Sequence, residues 1–380
     1  MLRAAIVGLG KMGLSHHSIL NAHPEVTLKA VCDTSGYVLD MLSKYTGVKT
    51  YTDHEALLSK EALDCIIVAT PSSFHADIVS AAIERGLHVF CEKPFGLDPQ
   101  VGYRLADSAE HKGLINQVGY HYRFVAAFTE AKRLLDRKLI GELHHIRAEA
   151  YGPVVLRPKG STWRSRKSEG GGCLFDYACH AIDLVNYLAG RPQAVSGTVL
   201  NSVFSNDVDD EIYSTFHFPK GVKGQLATNW SDETFRKMSV KLCFWGTNGR
   251  INVDRQEIQV YLRSLPEPFE DFKPGWNLRY TTDLTRPVWF YMRGEEYSAQ
   301  IDHFVQCIKT GATPISTFRT ATDASLVATM MRDDAAKPYT AVVPLSAPAA
   351  LSVTVQPVTK APPKSLVRTL VARLLSAGET

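Results

Sequence analysis

No apolar run in these 380 residues approaches the roughly 20 that a membrane span requires, so no integral membrane segment is expected. The start, Met1-Leu2-Arg3-Ala4-Ala5-Ile6-Val7-Gly8, goes directly into a strand pattern and has no signal-peptide anatomy. Cysteine is sparse. The seven are scattered, and Cys32, Cys65 and Cys91 fall inside apolar strand patterns. An odd count without close spacing excludes a disulfide framework and points to a reducing, cytoplasmic location. A dominant charge is missing too. Lys360, Lys364, Arg368 and Arg373 against Glu379 account for the whole net charge of +3, which leaves the body neutral. Nothing in it suggests a nucleic-acid partner. No internal repeats are visible.

What is present is an ordinary globular composition, 45% hydrophobic and 21% charged, in a chain long enough for two domains. Residues 3–7, 26–32, 64–70, 87–91 and 116–120 read as strands, and 72–85 as a helix stopped by Gly86. Strand alternating with helix over about 120 residues predicts a parallel doubly wound sheet. The rhythm then changes. Helices are predicted at 126–138 and 172–189 and strands at 144–151, 194–203, 211–218, 223–230, 237–245, 250–254 and 257–263. Helices return at 296–310 and 321–336. Ile212, Ser214, Phe216 and Phe218 alternate with Tyr213, Thr215 and His217, as in an antiparallel sheet with two unlike faces. The fold class is therefore α/β, with a Rossmann-type sheet followed by an α+β domain carrying a large open, mainly antiparallel sheet. The expected domains are 1–122, 123–345 and a Pro/Ala-rich linker with an amphipathic helix at 346–380. That helix is expected to dock on its own body or on a second subunit, with a membrane-surface anchor as the other reading.

Gly8-Leu9-Gly10-Lys11-Met12-Gly13 fits G-x-G-x-x-G between a strand and a helix. The first glycine serves the tight turn, the second admits a pyrophosphate to the backbone, and the third lets helix and sheet pack closely. Asp33 ends the second strand, 20 residues after Gly13, where a carboxylate accepts ribose hydroxyls and repels a 2′-phosphate. NAD is expected rather than NADP.

Two short segments carry the chemistry. Cys91-Glu92-Lys93-Pro94 sets a lysine at the carboxyl end of a parallel strand, where open α/β sheets bind ligands, although a solvated strand-end lysine would look the same. Gly170 to Asp183 reads GGGCLFDYACHAID and places Asp176, His180 and Asp183 at i, i+4 and i+7, on one helix face. His180, with an ordinary pKa near neutral, is the best general acid/base candidate. Asp176 would hold its ring or a substrate hydroxyl, and Asp183 reads as structural. Cys179 lies about 100° around the helix from His180, so Asp176, Cys179 and His180 make a poor metal site and no metal is expected.

These motifs, with Ala69-Thr70-Pro71-Ser72-Ser73-Phe74-His75, Tyr122-Arg123-Phe124 and Trp163-Arg164, resemble the glucose–fructose oxidoreductase/inositol dehydrogenase (Gfo/Idh/MocA) family across about residues 3–340. The resemblance implies a bound nicotinamide, an active site between two domains and a sheet that often forms an oligomer interface, here a homodimer or homotetramer. By likeness, Lys93, Asp176 and His180 match the catalytic lysine, aspartate and histidine. Thr70, Pro71, His75, Glu92, Trp163 and Arg164 match positions that commonly line the cofactor, and Tyr122 and Arg123 are placed with the substrate. The family often has glycine where this chain has Ala178.

The loop between Gly152 and Gly172 holds Arg157, Lys159, Arg164, Arg166 and Lys167 against Glu169 alone. Such a rim suits an anionic substrate, a nucleotide sugar, sugar phosphate or uronate, with Arg166 as a contact. The expectation is an NAD-dependent oxidoreductase acting on a secondary alcohol of a sugar, sugar derivative or cyclitol. Lys93 and His180 could exchange roles. The alternatives are a glycosidase that retains NAD through transient oxidation and elimination, and a non-catalytic nucleotide or sugar sensor.

Overall fold

The computed structural model describes residues 1–154, 163–267 and 269–337. The tail helix and Arg157 and Lys159 lie outside the described residues. The first sheet holds six strands: β1 (Leu2–Val7), β2 (Val26–Cys32), β3 (Lys49–Tyr51), β4 (Cys65–Val68), β5 (His88–Cys91) and β6 (Asn116–Val118). All pair in parallel, in the order β3-β2-β1-β4-β5-β6. Between them run α1 (Lys11–Ala22), α2 (Gly36–Thr46), α3 (His54–Lys60), α4 (His75–Glu84) and α5 (Pro99–His111). Helices on both faces leave no solvent side, which is why Cys65-Ile66-Ile67-Val68 is apolar and buried throughout. The chain order reverses between β1 and β4. Such a switch point opens a crevice at the carboxyl ends of the strands.

The second sheet has eight strands: β7 (Leu143–Tyr151), β8 (Ala194–Asn201), β9 (Glu211–His217), β10 (Lys223–Asn229), β11 (Ser239–Gly246), β12 (Gly249–Asp254), β13 (Glu257–Leu262) and β14 (Gly275–Tyr280). Their order is β14-β13-β12-β11-β7-β10-β9-β8. Every pair is antiparallel except β7 with β10. On β9 the expected alternation holds, with Ile212, Ser214 and Phe216 buried and Tyr213 exposed. Helices α6 (Ala126–Asp136), α7 (Cys179–Ala189) and α10 (Phe318–Ala335) cover the buried face. The other face shows Tyr213, Tyr261 and Trp276 to solvent. A short α8 (Thr281–Leu284) follows β14.

Helix α9 (Glu295–Thr310) follows the second sheet in sequence but packs on the first. Its Tyr297, Ile301, Phe304 and Val305 share a core with Ala4, Ile6, Val31, Ile67 and Phe90. Helix α10 lies against α5 at Gly102, where a Cβ would press within 2.5 Å of the Thr322 hydroxyl.

The glycine-led helix departs from the sequence expectation. It is not one regular helix over 172–189. A π-helical turn, Leu174–Ala178, precedes α7. Asp176 therefore stands in the wider turn and His180 in the regular one, so simple i, i+4 arithmetic does not place their side chains. Such turns recur at functional sites.

Candidate active site

The glycine loop after β1 is shaped by contact. Gly8 has φ +94°, and a Cβ there would lie 2.6 Å from the Ala69 carbonyl carbon and 2.7 Å from the Thr70 nitrogen. A Cβ on Gly13 would overlap the Gly8 carbonyl oxygen, whereas one on Gly10 would meet nothing within 4 Å. That open side faces the start of α1, where Lys11, Met12 and Gly13 form the first turn. No side chain caps this end and no acidic residue sits in its first turn. Its N–H groups and positive dipole end suit a pyrophosphate. Asp33 closes the loop. Its Oδ2 accepts from the Leu9 N–H at 2.5 Å and its Oδ1 from the Ser35 N–H at 2.8 Å, which fixes a carboxylate beside the cradle. The buried Thr70 Oγ1 has no partner among the described residues. An open glycine, an uncapped helix start, a held carboxylate and an orphan hydroxyl fit a dinucleotide.

Two loops at this end of the sheet are tied together. The His75 ring stands 3.0 Å from the Pro94 carbonyl oxygen and 2.9 Å from that of Thr70, so it bridges the segments after β4 and β5, with Pro71 in the first of them. Glu92 is clasped from two sides: its Oε1 lies 2.7 Å from His16 Nε2, and its Oε2 accepts from the Lys93 N–H at 3.2 Å. A Cβ on Gly119 would come within 2.9 Å of both Glu92 oxygens. The Lys93–Pro94 peptide is cis. Lys93 thus leaves the strand from a packed base.

Its side chain crosses to the glycine-led segment. Lys93 Nζ donates to Asp176 Oδ1 at 2.9 Å and to the Asp176 carbonyl oxygen at 3.0 Å. Arg164 Nε donates to Asp176 Oδ2 at 2.7 Å. Burial would raise the Asp176 pKa, but the two cations outweigh it and hold the carboxyl at about 2. Burial would likewise lower that of Lys93, and Asp176 reverses it, so the ammonium stays charged.

His180 follows one turn later and is 3% exposed. Its ring contacts Tyr120, His121 and Tyr122 edge-on, at centroid distances of 5.9, 5.1 and 5.3 Å. Nδ1 is buried without a hydrogen-bond partner among the described residues. Burial first, then the charges of Lys93 and His121, push its pKa well below the usual imidazole range. The imidazole is neutral and able to take a proton. Asp176 does not orient this ring, because its two carboxylate oxygens hold Lys93 and Arg164.

Lys93, Arg164, Asp176, His180 and Tyr122 therefore come together. Arg123 and Arg166 do not join them. Arg123, expected on the substrate, is 2% exposed and binds Asp183 through two nitrogens, at 2.9 and 2.6 Å, and the Ile315 carbonyl through the third. Its fork closes on the protein. Arg166 pairs with Glu169 at 2.6 Å on the surface. Trp163 lies in the turn Trp163–Ser165. Sequence reasoning missed His121 and Tyr297. His121 sits one residue ahead of the Tyr122-Arg123-Phe124 motif, but Tyr297 arrives from α9 and no local pattern marks it.

A parallel sheet with a glycine cradle at its switch point, whose own Lys93 reaches an aspartate and a histidine on the helical segment that packs on the second sheet, defines a dinucleotide-binding oxidoreductase. The comparisons with known proteins are specific. The GFO_IDH_MocA oxidoreductase family model, an NAD-binding Rossmann fold, matches residues 2–120, and the GFO/IDH/MocA C-terminal domain matches 128–252. The chain belongs to this family of NAD-binding oxidoreductases. Among its relatives, scyllo-inositol 2-dehydrogenase (NAD(+)) of Bacillus subtilis is 27% identical over 325 residues, 83% of this chain and 89% of that protein. The 2,7-anhydro-N-acetylneuraminate hydratase of Escherichia coli is 28% identical over 269 residues, covering 69% and 70%. In fold, levoglucosan dehydrogenase in complex with NADH and levoglucosan superposes with a TM-score of 0.77 at 23% identity, over 88% of this chain and 97% of that one. Among the described residues, no helix is long and apolar enough to cross a membrane.

Proposed function

We propose that this chain moves a hydride between NAD and a secondary alcohol carbon of a sugar, sugar derivative or cyclitol. The observation that carries the reading is the 2.9 Å contact of Lys93 Nζ with Asp176, which brings the lysine after β5 onto the segment that bears His180. With its pyrophosphate at the cradle, a bound NAD would supply a nicotinamide as the hydride acceptor. His180, neutral and buried, takes the hydroxyl proton. Lys93, kept charged by Asp176, donates a hydrogen bond to the same oxygen and favours its developing negative charge. Arg164 closes the other side of Asp176, so the carboxylate positions the lysine and not the imidazole. Asp33 at the cradle favours NAD over NADP. The open sheet face with Tyr213, Tyr261 and Trp276 supports a homo-oligomer.

A relative named as a hydratase and not as a dehydrogenase favours keeping a second reading, the glycosidase that retains NAD through transient oxidation and elimination. A screen of polyols, uronates and nucleotide sugars by NADH absorbance separates the two. A dehydrogenase accumulates NADH, whereas a cycling enzyme consumes substrate without doing so. Lys93→Ala should lower turnover by about 10²–10⁴-fold. Full activity in that variant removes the assignment.

A further inference from the structure

Among the described residues of the basic loop, Arg164 holds Asp176 and Arg166 holds Glu169. A different arginine stands at the His121 side of the site. His121 is stacked on Tyr297, with centroids 4.6 Å apart and planes 17° apart, and its Nε2 lies 3.4 Å from the Tyr297 hydroxyl. Arg293 lies against the same Tyr297, its guanidinium carbon 5.3 Å from the ring centroid. His180, His121, Tyr297 and Arg293 thus form a continuous wall from the proposed base to an exposed guanidinium.

The turn that presents Arg293 is constrained. Arg293 has φ +65°, uncommon for a residue with a side chain, and Gly294 follows with φ +140°. A Cβ at Gly294 would run into Glu296 Oε2 and Arg255 Nη2. Beneath it, Arg255 and the buried Glu296 pair at 2.5 Å. That pair offsets the nearest acid. Glu92, whose charge also reaches Tyr297, is engaged by His16. Arg293 has no carboxylate within ion-pair distance among the described residues, and after burial and Lys93 it joins Arg255 in disfavouring a charge on His121. Backbone held in a sparsely populated region to aim one side chain is a feature of ligand sites. Arginine meets carboxylates with a planar fork.

We infer that the substrate carries a carboxylate, as in a uronate, and that Arg293, seated on Tyr297, receives it while His180 and Lys93 hold the hydroxyl to be oxidised. This rests on the proposed dehydrogenase site and adds the substrate class.

The test is calorimetric binding of D-glucuronate and D-galacturonate, each beside D-glucose and D-galactose, to the full chain saturated with NADH. Wild type should bind at least one uronate more tightly than its aldose. In Arg293→Ala that ratio should fall about 10- to 100-fold, the range of a hydrogen bond to a charged group, and Arg293→Lys should restore part of it. Equal binding of acid and aldose, no uronate binding, or an equal loss of both ligands in Arg293→Ala would overturn the inference. Because this readout needs no turnover, it is distinct from the dehydrogenase reading. Neutral polyols oxidised without uronate preference would leave that reading standing and this one refuted.

Discussion

Asp176→Asn tests the part of the site that rests on charge, because an amide keeps the carboxylate's size and one acceptor oxygen. Asp176 is 3% exposed and faces Lys93 at 2.9 Å and Arg164 at 2.7 Å. Its carboxyl is held at about 2, against an ordinary 3.8, in spite of burial. That displacement corresponds to about 2 kcal/mol of folding stability. Because the folded pKa is depressed, this stability is present above the ordinary carboxylate pKa and is lost as pH falls through about 2. Removing one partner of a buried ion pair costs about 3–5 kcal/mol, since the remaining charges stay buried. Asp176→Asn should therefore lose about 2–5 kcal/mol in urea unfolding at pH 7. Its pH profile should change as well. Without Asp176, burial lowers the Lys93 pKa, so the alkaline limb of kcat/KM moves down toward neutral. The acid limb, set by a His180 whose pKa already lies below the usual range, should stay below neutral. Equilibrium unfolding and a kcat/KM profile at saturating NAD check both. Unaltered stability with an unmoved alkaline limb would refute the electrostatic account of Lys93.

Other variants separate chemistry from scaffold. His180→Ala should cut turnover by about 10²–10⁴-fold while NADH binding, followed by fluorescence, persists. Gly10→Ala should fold normally yet weaken NADH binding, because its methyl enters open space where a pyrophosphate would run, whereas Gly13→Ala should destabilise the fold itself, seen as a lower melting temperature. Arg123→Leu should lose about 3–5 kcal/mol in unfolding by stranding Asp183. A selective rise in KM without that loss would return Arg123 to the substrate.

The parallel sheet is legible because strands buried on both faces must be continuously apolar, and Cys65–Val68 and residues 89–91 meet that demand. The glycine cradle is legible because Gly8 and Gly13 each answer a local backbone clash, while Gly10 leaves open the side that a pyrophosphate needs. Helices α2, α3 and α5, the edge strands β3 and β14 and the one parallel pair in the second sheet are not among the sequence expectations. Strand β14 alternates, but its large apolar residues Trp276, Leu278 and Tyr280 are the exposed ones, so the pattern does not mark a core face, and its place depends on pairing with β13. The π turn at Leu174–Ala178 changes backbone geometry without any residue type that announces it.

By its sequence alone this chain determined where a dinucleotide cradle must form and which lysine, aspartate and histidine stand near it, because those features depend on local backbone and on motif order. Only the tertiary structure decided their partners. Asp176 serves Lys93 instead of His180, Arg123 closes on Asp183 instead of a ligand, and Tyr297 comes from α9 to carry Arg293 beside His121. Hydrogen bonds and ion pairs between residues tens to hundreds of positions apart are set by how elements pack, and one side chain can satisfy only the partner that packing brings within reach.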